Sequence, residues 1–141
     1  MLVIVAAVVL YYFMAPEYSG QADREVKQKL EQIYQNEEKA LKFYALEPQT
    51  STEDLVKAVK DEGILYWNLN LQLLEEIQQY ELEEPYEEYI NKLFIYTRLR
   101  QEIYILILQA LQEDTDKYDR EIEQKNRSVQ AVLDEIDQMA I

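Results

Sequence analysis

The apolar residues of this chain recur at steps of three and four over most of its length, which is the spacing of one face of an α-helix. The first such run is QADREVKQKLEQIYQNEEKALKFYALEP, and Pro48 ends it. Glu37 interrupts the apolar stripe of this run. The run predicts an amphipathic helix, whose buried face consists of Val26, Leu30, Ile33, Ala40, Leu41 and Tyr44.

The run TSTEDLVKAVKDEG predicts a second, shorter helix. Thr50 and Glu53 have the spacing of a capping box, which satisfies backbone N–H groups at the start of a helix. Gly63 stands where a left-handed C-terminal cap is expected. We therefore expect this helix to end at Gly63.

The next run, ILYWNLNLQLLEEIQQYELEE, fits two periods. Alternate residues from Trp67 to Leu73 are apolar, as in a strand. Because no second strand is present to pair with it, a strand here would leave its backbone groups unsatisfied. We predict a helix, whose apolar positions are Ile64, Trp67, Leu71, Leu74 and Ile77.

The last run has neither Gly nor Pro and extends from Tyr86 to Ile141. It follows Pro85, a residue type favoured in the first turn of a helix, and it predicts one long C-terminal helix with a coiled-coil-like second half. A break or bend is expected near EDTDKY (113–118), because Asp and Thr side chains compete with the backbone for hydrogen bonds. The stretch Ile103–Leu108 has no polar face, so we expect it to be covered on all sides at the centre of a bundle.

Turn-forming residues are scarce, since the chain has only two glycines and three prolines. A β-rich domain of this size would need many more. The sequence therefore predicts an all-α fold, an extramembrane helical bundle with one long C-terminal helix, preceded by a partial transmembrane helix.

The transmembrane element is expected in the opening segment MLVIVAAVVLYYFMAPEYSG, which carries no charge before Glu17. A secretory signal would need positive charge ahead of its apolar stretch, and a full membrane span needs about 20 residues. A core helix is a third interpretation, but this segment lacks the polar face of the other helices. We interpret residues 1–16 as a partial transmembrane helix or membrane anchor, the end of a membrane helix that begins upstream of Met1. Residues 17–141 then form an acidic helical bundle domain.

Acidic residues outnumber basic ones 28 to 14, which gives the chain a formal charge of −14. Such a surface repels phosphate backbones, so no nucleic-acid partner is expected. The chain has neither Cys nor His, which removes disulfides, thiolate nucleophiles, the commonest general base and the commonest transition-metal ligand. We therefore expect no catalytic residue, no cofactor and no metal site in this chain.

One acidic segment has partial metal-loop spacing. Asp114 and Asp116 match a calcium loop, but the sixth position is Asp119, where Gly is required, and the twelfth is Lys125, where Glu is required. We interpret this segment as a solvated helix face.

Tyrosines and two arginines are the remaining candidates. The twelve tyrosines are interpreted as amphipathic packing, with the ring inside and the hydroxyl at the rim, the alternative being peptide or ligand recognition. Arg98 and Arg100 lie in the apolar stretch LFIYTRLRQEIYILIL. We expect one of them to reach a carboxylate on a neighbouring helix, either Glu75 or Glu76.

Two segments, DEGILYWNLNLQLLEEIQQYELEE and YTRLRQEIYILILQALQEDTDKYDREIEQKN, carry a resemblance to a known family. Their recognisable elements are Gly63 followed by Trp67, the pair Arg98 and Arg100, and Asp114–Tyr118. They resemble the helical C-terminal extension of a subgroup of bacterial rhomboid-type intramembrane serine proteases. The resemblance covers most of the chain between positions 15 and 135.

The resemblance implies that the extension follows the last membrane helix of such a protease and that the catalytic membrane core lies upstream. The family's nucleophile is a Ser in a G-x-S-x-G motif, and its base is a His. Ser19, Ser51 and Ser128 lack that context, and His is absent. The chain itself is therefore not expected to be an enzyme.

Two functions follow from the sequence. The first is a non-catalytic domain tethered to a membrane enzyme, where it stabilises the core or engages a protein. The second is a free-standing membrane-anchored helical protein with an interaction, structural or sensor role. Both are membrane-associated, with the side of the membrane left open. The expected partners are membrane lipid through residues 1–16, a protein partner or the missing membrane domain, and a second copy of the chain.

Overall fold

The chain forms four helices and no strand in the part that its computed structural model describes, residues 21–84 and 86–139. Helix α1 spans Gln21–Leu41 and continues into a 3-10 turn, Lys42–Ala45. Helix α2 is one continuous rod with three parts, which are an α-helix Thr52–Lys57, a π-helix Ala58–Ile64 and an α-helix Leu65–Ile77.

Helices α3 and α4 complete the bundle, and they span Tyr86–Glu113 and Asp119–Gln138. The predicted all-α bundle is confirmed. The ambiguous run that begins at Ile64 is helical over Leu65–Ile77, as expected.

Neighbouring helices run antiparallel. Lys29 and Glu76 join the start of α1 to the end of α2, with 2.7 Å between Nζ and Oε2. Asn36 and Asn70 join the same helices further along, with 3.0 Å between Nδ2 and Oδ1. The same reversal holds for the next two helix pairs through Asn68–Gln101, Gln78–Asn91, Glu102–Lys125 and Lys92–Glu135. The chain therefore passes up, down, up and down.

Helices α1, α2 and α3 enclose the main core, and α4 packs along α3. The side chains at the centre are at most 1% exposed, and they include Ile33, Trp67, Leu74, Ile77 and Ile103. Burial of one large apolar side chain contributes about 1.5–3 kcal/mol, so this cluster holds the three helices together. Helix α4 joins through the buried side chains of Val129, Leu133 and Ile136.

The prediction of one long, continuous C-terminal helix is wrong, because the chain reverses direction between α3 and α4. The break expected at residues 113–118 is confirmed. Asp114 has a φ of 50°, in the left-handed region that Asp tolerates better than most residues. The N–H of Thr115 donates to the carbonyl of Ala110 at 3.1 Å, which is the six-to-one bond of a Schellman cap. This cap ends α3 and turns the chain back.

Two predicted features of α2 are also wrong. Its N-cap is Ser51 rather than Thr50, because the Ser51 Oγ accepts a hydrogen bond from the Asp54 N–H at 3.1 Å. The helix does not end at Gly63, which lies inside the π-helical part. A Cβ at Gly63 would clash with Cδ2 of the Tyr104 ring. The close approach of this ring, and not a left-handed cap, explains the glycine.

The apolar stretch Ile103–Leu108 is only partly covered. Ile103 and Tyr104 are fully buried, but Ile105 is 40% exposed. The prediction of complete coverage is therefore wrong at this position, because the outer side of α3 faces solvent there.

The predicted anchor, residues 1–16, lies outside the described residues, as does Pro85. None of the helices within the described ranges combines the length and the apolar character needed to cross a bilayer. The division of the chain into 1–16 and 17–141 stays a prediction.

Candidate functional site

A buried group of polar and aromatic side chains lies where α1, α2 and α3 meet. We call it the Glu37 cluster. It consists of Glu37, Tyr44, Trp67, Tyr96, Arg100 and Tyr104.

Helical periodicity explains why two charged side chains lie inside the bundle. Glu37 follows Ile33 by four residues and precedes Ala40 by three, so it lies on the inner face of α1. Arg100 has the same relation to Tyr96 and Ile103 on α3. Glu37 is 2% exposed and Arg100 is 4% exposed. Neither helix can bury its apolar neighbours without also burying the charged residue.

Arg100 is surrounded by aromatic rings rather than by a close ion-pair partner. The central guanidinium carbon lies 5.4 Å from the ring centroid of Tyr96 and 5.9 Å from that of Tyr44. These distances suit cation–π attraction to both rings. No carboxylate in the described part of the chain lies within 4.0 Å of the guanidinium.

Aromatic contacts fix the geometry of the cluster. The ring of Trp67 meets Tyr96 and Tyr104 edge to face, with centroids 6.1 Å and 5.7 Å apart. The Tyr104 hydroxyl donates a hydrogen bond of 2.7 Å to the carbonyl of Ala40. Tyr104 thereby ties α3 to the end of α1, while its ring fills the space that Gly63 leaves open on α2.

Four polar atoms of the cluster are buried without a hydrogen bond of standard geometry. They are the hydroxyls of Tyr44 and Tyr96, Nε1 of Trp67 and Nε of Arg100. The Tyr96 hydroxyl nevertheless lies close enough to Glu37 and Arg100 to influence the pKa of both. Arg100 likewise acts on the pKa of Tyr44, and Trp67 acts on that of Tyr104, so the polar groups of the cluster face one another inside the core.

Burial raises the pKa of Glu37 to about 8, although the positive charge of Arg100 and the hydroxyl of Tyr96 both act to lower it. At neutral pH the carboxyl group is therefore mostly protonated and uncharged. Burial also raises the pKa of Tyr96 and Tyr104 above the ordinary tyrosine value. For Arg100, burial lowers the pKa, but the nearby tyrosines raise it, and the net direction is upward. The guanidinium therefore keeps its charge.

Buried amides next to the cluster are, in contrast, hydrogen-bonded to one another and to the backbone. Asn36 donates to Oδ1 of Asn70, and Asn70 donates to the carbonyl of Ile33, both at 3.0 Å. On α3, the hydroxyl of Thr97 donates to the carbonyl of Leu93 at 2.8 Å. Satisfied buried networks of this kind rigidify a core and specify its register.

The two arginines that the sequence analysis singled out, Arg98 and Arg100, lie in different environments. Arg100 is the buried one, and the carboxyl group on which its charge acts is Glu37 of α1, so the expectation of Glu75 or Glu76 is wrong for this arginine. Glu76 pairs instead with Lys29. Arg98 is exposed and lies over the ring of Phe94, 5.3 Å from its centroid.

The sequence offered one signal for the missed residue, since Glu37 interrupts an otherwise apolar stripe. For the tyrosines, the expected packing holds in part. The rings of Tyr89, Tyr96 and Tyr104 are buried, but the hydroxyls of Tyr96 and Tyr104 lie inside the bundle and not at its rim.

Asp114 and Asp116 lie in the turn between α3 and α4 and are exposed. Across residues 21–84 and 86–139, no group of three or more acidic side chains is arranged to hold a metal ion.

A second feature lies on the outside of α2 and α3. Leu65, Leu69 and Ile105 are 47%, 38% and 40% exposed, and we call them the outer aliphatic positions. Leu65 and Leu69 lie on either side of Asn68, whose amide oxygen accepts a hydrogen bond from Gln101, one turn before Ile105. The antiparallel register therefore brings Leu65 to the level of Ile105, and Leu69 follows one turn further along α2. Large aliphatic side chains grouped on a surface are typical of sites that contact another macromolecule.

Comparisons of this chain with protein-family models, with curated proteins and with solved structures found no match.

Proposed function

We propose that this chain is a non-catalytic helical domain of a membrane protein, held at the bilayer through residues 1–16, and that it acts by binding another protein. The observation that carries the proposal is the group of outer aliphatic positions, Leu65, Leu69 and Ile105, on two adjacent helices. The membrane attachment rests on the uncharged apolar sequence that precedes Glu17.

The distribution of polar groups supports a binding role over a catalytic one. The most perturbed carboxyl group, Glu37, lies inside the core, where a substrate has no direct approach to its side chain. A surface cleft of about 330 Å³ lies at the loop between α2 and α3, and residues outside the Glu37 cluster, including Gln78, Glu81 and Asn91, line it. An enzyme would place its perturbed groups in such a cleft.

The resemblance to rhomboid-type proteases forms the more specific part of the proposal. The domain would then be the accessory extension of an intramembrane serine protease, and it would stabilise the membrane core or engage a substrate protein. The catalytic Ser and His would belong to that core.

A test uses a photoreactive amino acid at each of two outer aliphatic positions, Leu65 and Ile105, in the full chain within native membranes. The control position is Gln28, an exposed residue of α1. The proposal expects both test positions to crosslink to the same protein and the control to remain free of that product. The substitution Leu69→Ser should weaken the crosslinks without changing the melting temperature. Crosslinks that are equally strong at Gln28, or that reach lipid alone, would refute the binding role.

The alternative is a free-standing membrane-anchored helical protein with a sensor role, which the Glu37 cluster favours. A buried carboxyl group with a pKa of about 8 changes charge within the physiological pH range, as few side chains do. Fractionation of cells distinguishes the two functions. Recovery of the intact protein in the membrane fraction, without a covalently linked protease core, would favour this second function.

A further inference from the structure

We propose that the buried side chain of Glu37 is a proton-controlled latch between α1 and α3. The latch is closed while Glu37 carries a proton, and α1 loosens from α3 when the carboxyl group ionises. This inference depends neither on membrane attachment nor on the identity of a protein partner.

The surroundings of Glu37 explain why its charge would open the core. The charged or titratable groups that act on it are Arg100 and Tyr96, both on α3. Arg100 in turn faces the hydroxyls of Tyr44, on the 3-10 turn, and Tyr104. An ionised carboxylate at this depth lacks a close ion-pair partner, and an unpaired buried charge is strongly destabilising.

Helix α2, which also packs against α1, has no titratable group among those that act on Glu37. It presents the side chains of Trp67 and Asn70, and the Asn70 amide is already engaged by Asn36 and by the Ile33 carbonyl. Two lysines of α1 contact α2 at the surface. Lys29 pairs with Glu76, and Nζ of Lys39 lies 5.2 Å from the centroid of the Tyr66 ring. Neither α1 nor α2 can therefore neutralise Glu37 locally.

The composition of the chain distinguishes Glu37 from its other titratable groups. Ordinary Asp and Glu side chains titrate near pH 4 and Tyr and Lys near pH 10, whereas His and Cys titrate between these ranges. This chain has no His and no Cys. Burial moves the pKa of Glu37 out of the ordinary carboxyl range and into this gap.

The direction of the pH effect follows from the raised pKa. At pH values between 4.5, the ordinary pKa of glutamate, and about 8, Glu37 is protonated in the closed state and ionised in the open state. The closed state is therefore favoured at low pH, loses this advantage as the pH rises through that window, and changes no further above it.

The test is native-state hydrogen exchange of the full chain in mild detergent, with rates corrected for the intrinsic pH dependence of exchange. For amides in the second half of α1, the opening equilibrium should rise about tenfold per pH unit from pH 5.5 to 7.5 and level off above pH 8. The Glu37→Gln variant should show no such rise. The matched control is Glu38→Gln, since Glu38 is the adjacent, exposed residue, and this variant should behave like the wild type.

Several results would overturn the latch. They are an opening equilibrium that is constant or falls between pH 5.5 and 7.5 in the wild type, the same rise in Glu37→Gln, or the loss of the rise in Glu38→Gln. If Glu37→Gln fails to fold, the urea midpoint of the wild type decides the question alone. A midpoint that falls from pH 5.5 to 7.5 supports the latch, and a flat or rising midpoint refutes it.

Discussion

The hydroxyl of Tyr104 on α3 donates a 2.7 Å hydrogen bond to the carbonyl oxygen of Ala40 at the end of α1. Both residues are buried, so the hydrogen bond is shielded from water. It joins α3 to the end of α1, where the α-helix passes into the 3-10 turn, and contributes to the contact between the two helices.

We expect Tyr104→Phe to lower the free energy of unfolding by about 0.5–1.5 kcal/mol, because it removes a buried hydrogen bond between two helices. Urea denaturation at a fixed pH measures the change. The control is Tyr66→Phe, at a half-buried position whose ring lies beside Lys39. Equal stability of the Tyr104 variant and the wild type would show that the hydrogen bond contributes nothing.

We expect Gly63→Ala to destabilise the bundle, although Ala normally stabilises a helix relative to Gly by about 1 kcal/mol. The new Cβ would clash with Cδ2 and Cε2 of the Tyr104 ring. The ring cannot swing away without breaking its bond to Ala40, so a loss of about 1–3 kcal/mol is expected from overpacking.

The same substitution in a Tyr104→Leu background provides the control, because the smaller side chain removes the clash. There Gly63→Ala should cost much less, and the double-mutant cycle measures the difference. A stabilising effect of Gly63→Ala in the wild-type background would refute the packing explanation for this glycine.

The pH dependence of stability should shift when Arg100 is replaced. Its positive charge lowers the pKa of Glu37, so Arg100→Gln should raise that pKa above about 8. Stability falls with rising pH until it passes the pKa of the folded state, and the levelling-off should therefore move to higher pH in this variant. Urea midpoints between pH 5.5 and 9.5 measure the shift.

The matched control for that experiment is Arg98→Gln, which removes the same charge from an exposed position on the same helix. The urea midpoint of this variant should level off at the same pH as the midpoint of the wild type. If the two variants have the same profile, Arg100 does not act on Glu37.

Removal of residues 1–16 should abolish association with lipid vesicles. The full chain should float with phospholipid vesicles in a density gradient, because burial of an apolar segment in the bilayer is favourable. The truncated chain, residues 17–141, should remain at the bottom while keeping a helical far-ultraviolet circular dichroism spectrum. Flotation of the truncated chain would show that the bundle itself binds lipid.

Local patterns in the sequence predict the helices of this protein because a buried stripe repeats at the helical period within each element. The stripe through Ile33 and Ala40 and the break at Asp114 are both visible without any knowledge of the tertiary fold. The direction of the chain after that break is not, because it depends on Val129 and Leu133 finding a surface on α3.

The features that depend on distant residues could not be predicted in the same way. Gly63 has the sequence context of a helix cap, but its role is set by the ring of Tyr104 on another helix. The position of Glu37 on a buried stripe is visible in the sequence, whereas its relation to Arg100 appears only when α1 and α3 pack together. A charged residue on a buried stripe indicates an unusual site, but the sequence does not show which residues of the other helices pack around it.

The most direct test of the account is the carboxyl carbon resonance of Glu37, followed by nuclear magnetic resonance from pH 4 to 10 in the full chain labelled at glutamate. The Glu37→Gln variant assigns the signal by its absence. We predict that the resonance keeps the shift of a protonated acid at pH 7 and titrates with a midpoint near 8. A midpoint near 4.5, the ordinary value, would mean that the core holds an ionised carboxylate at neutral pH, and it would contradict the account.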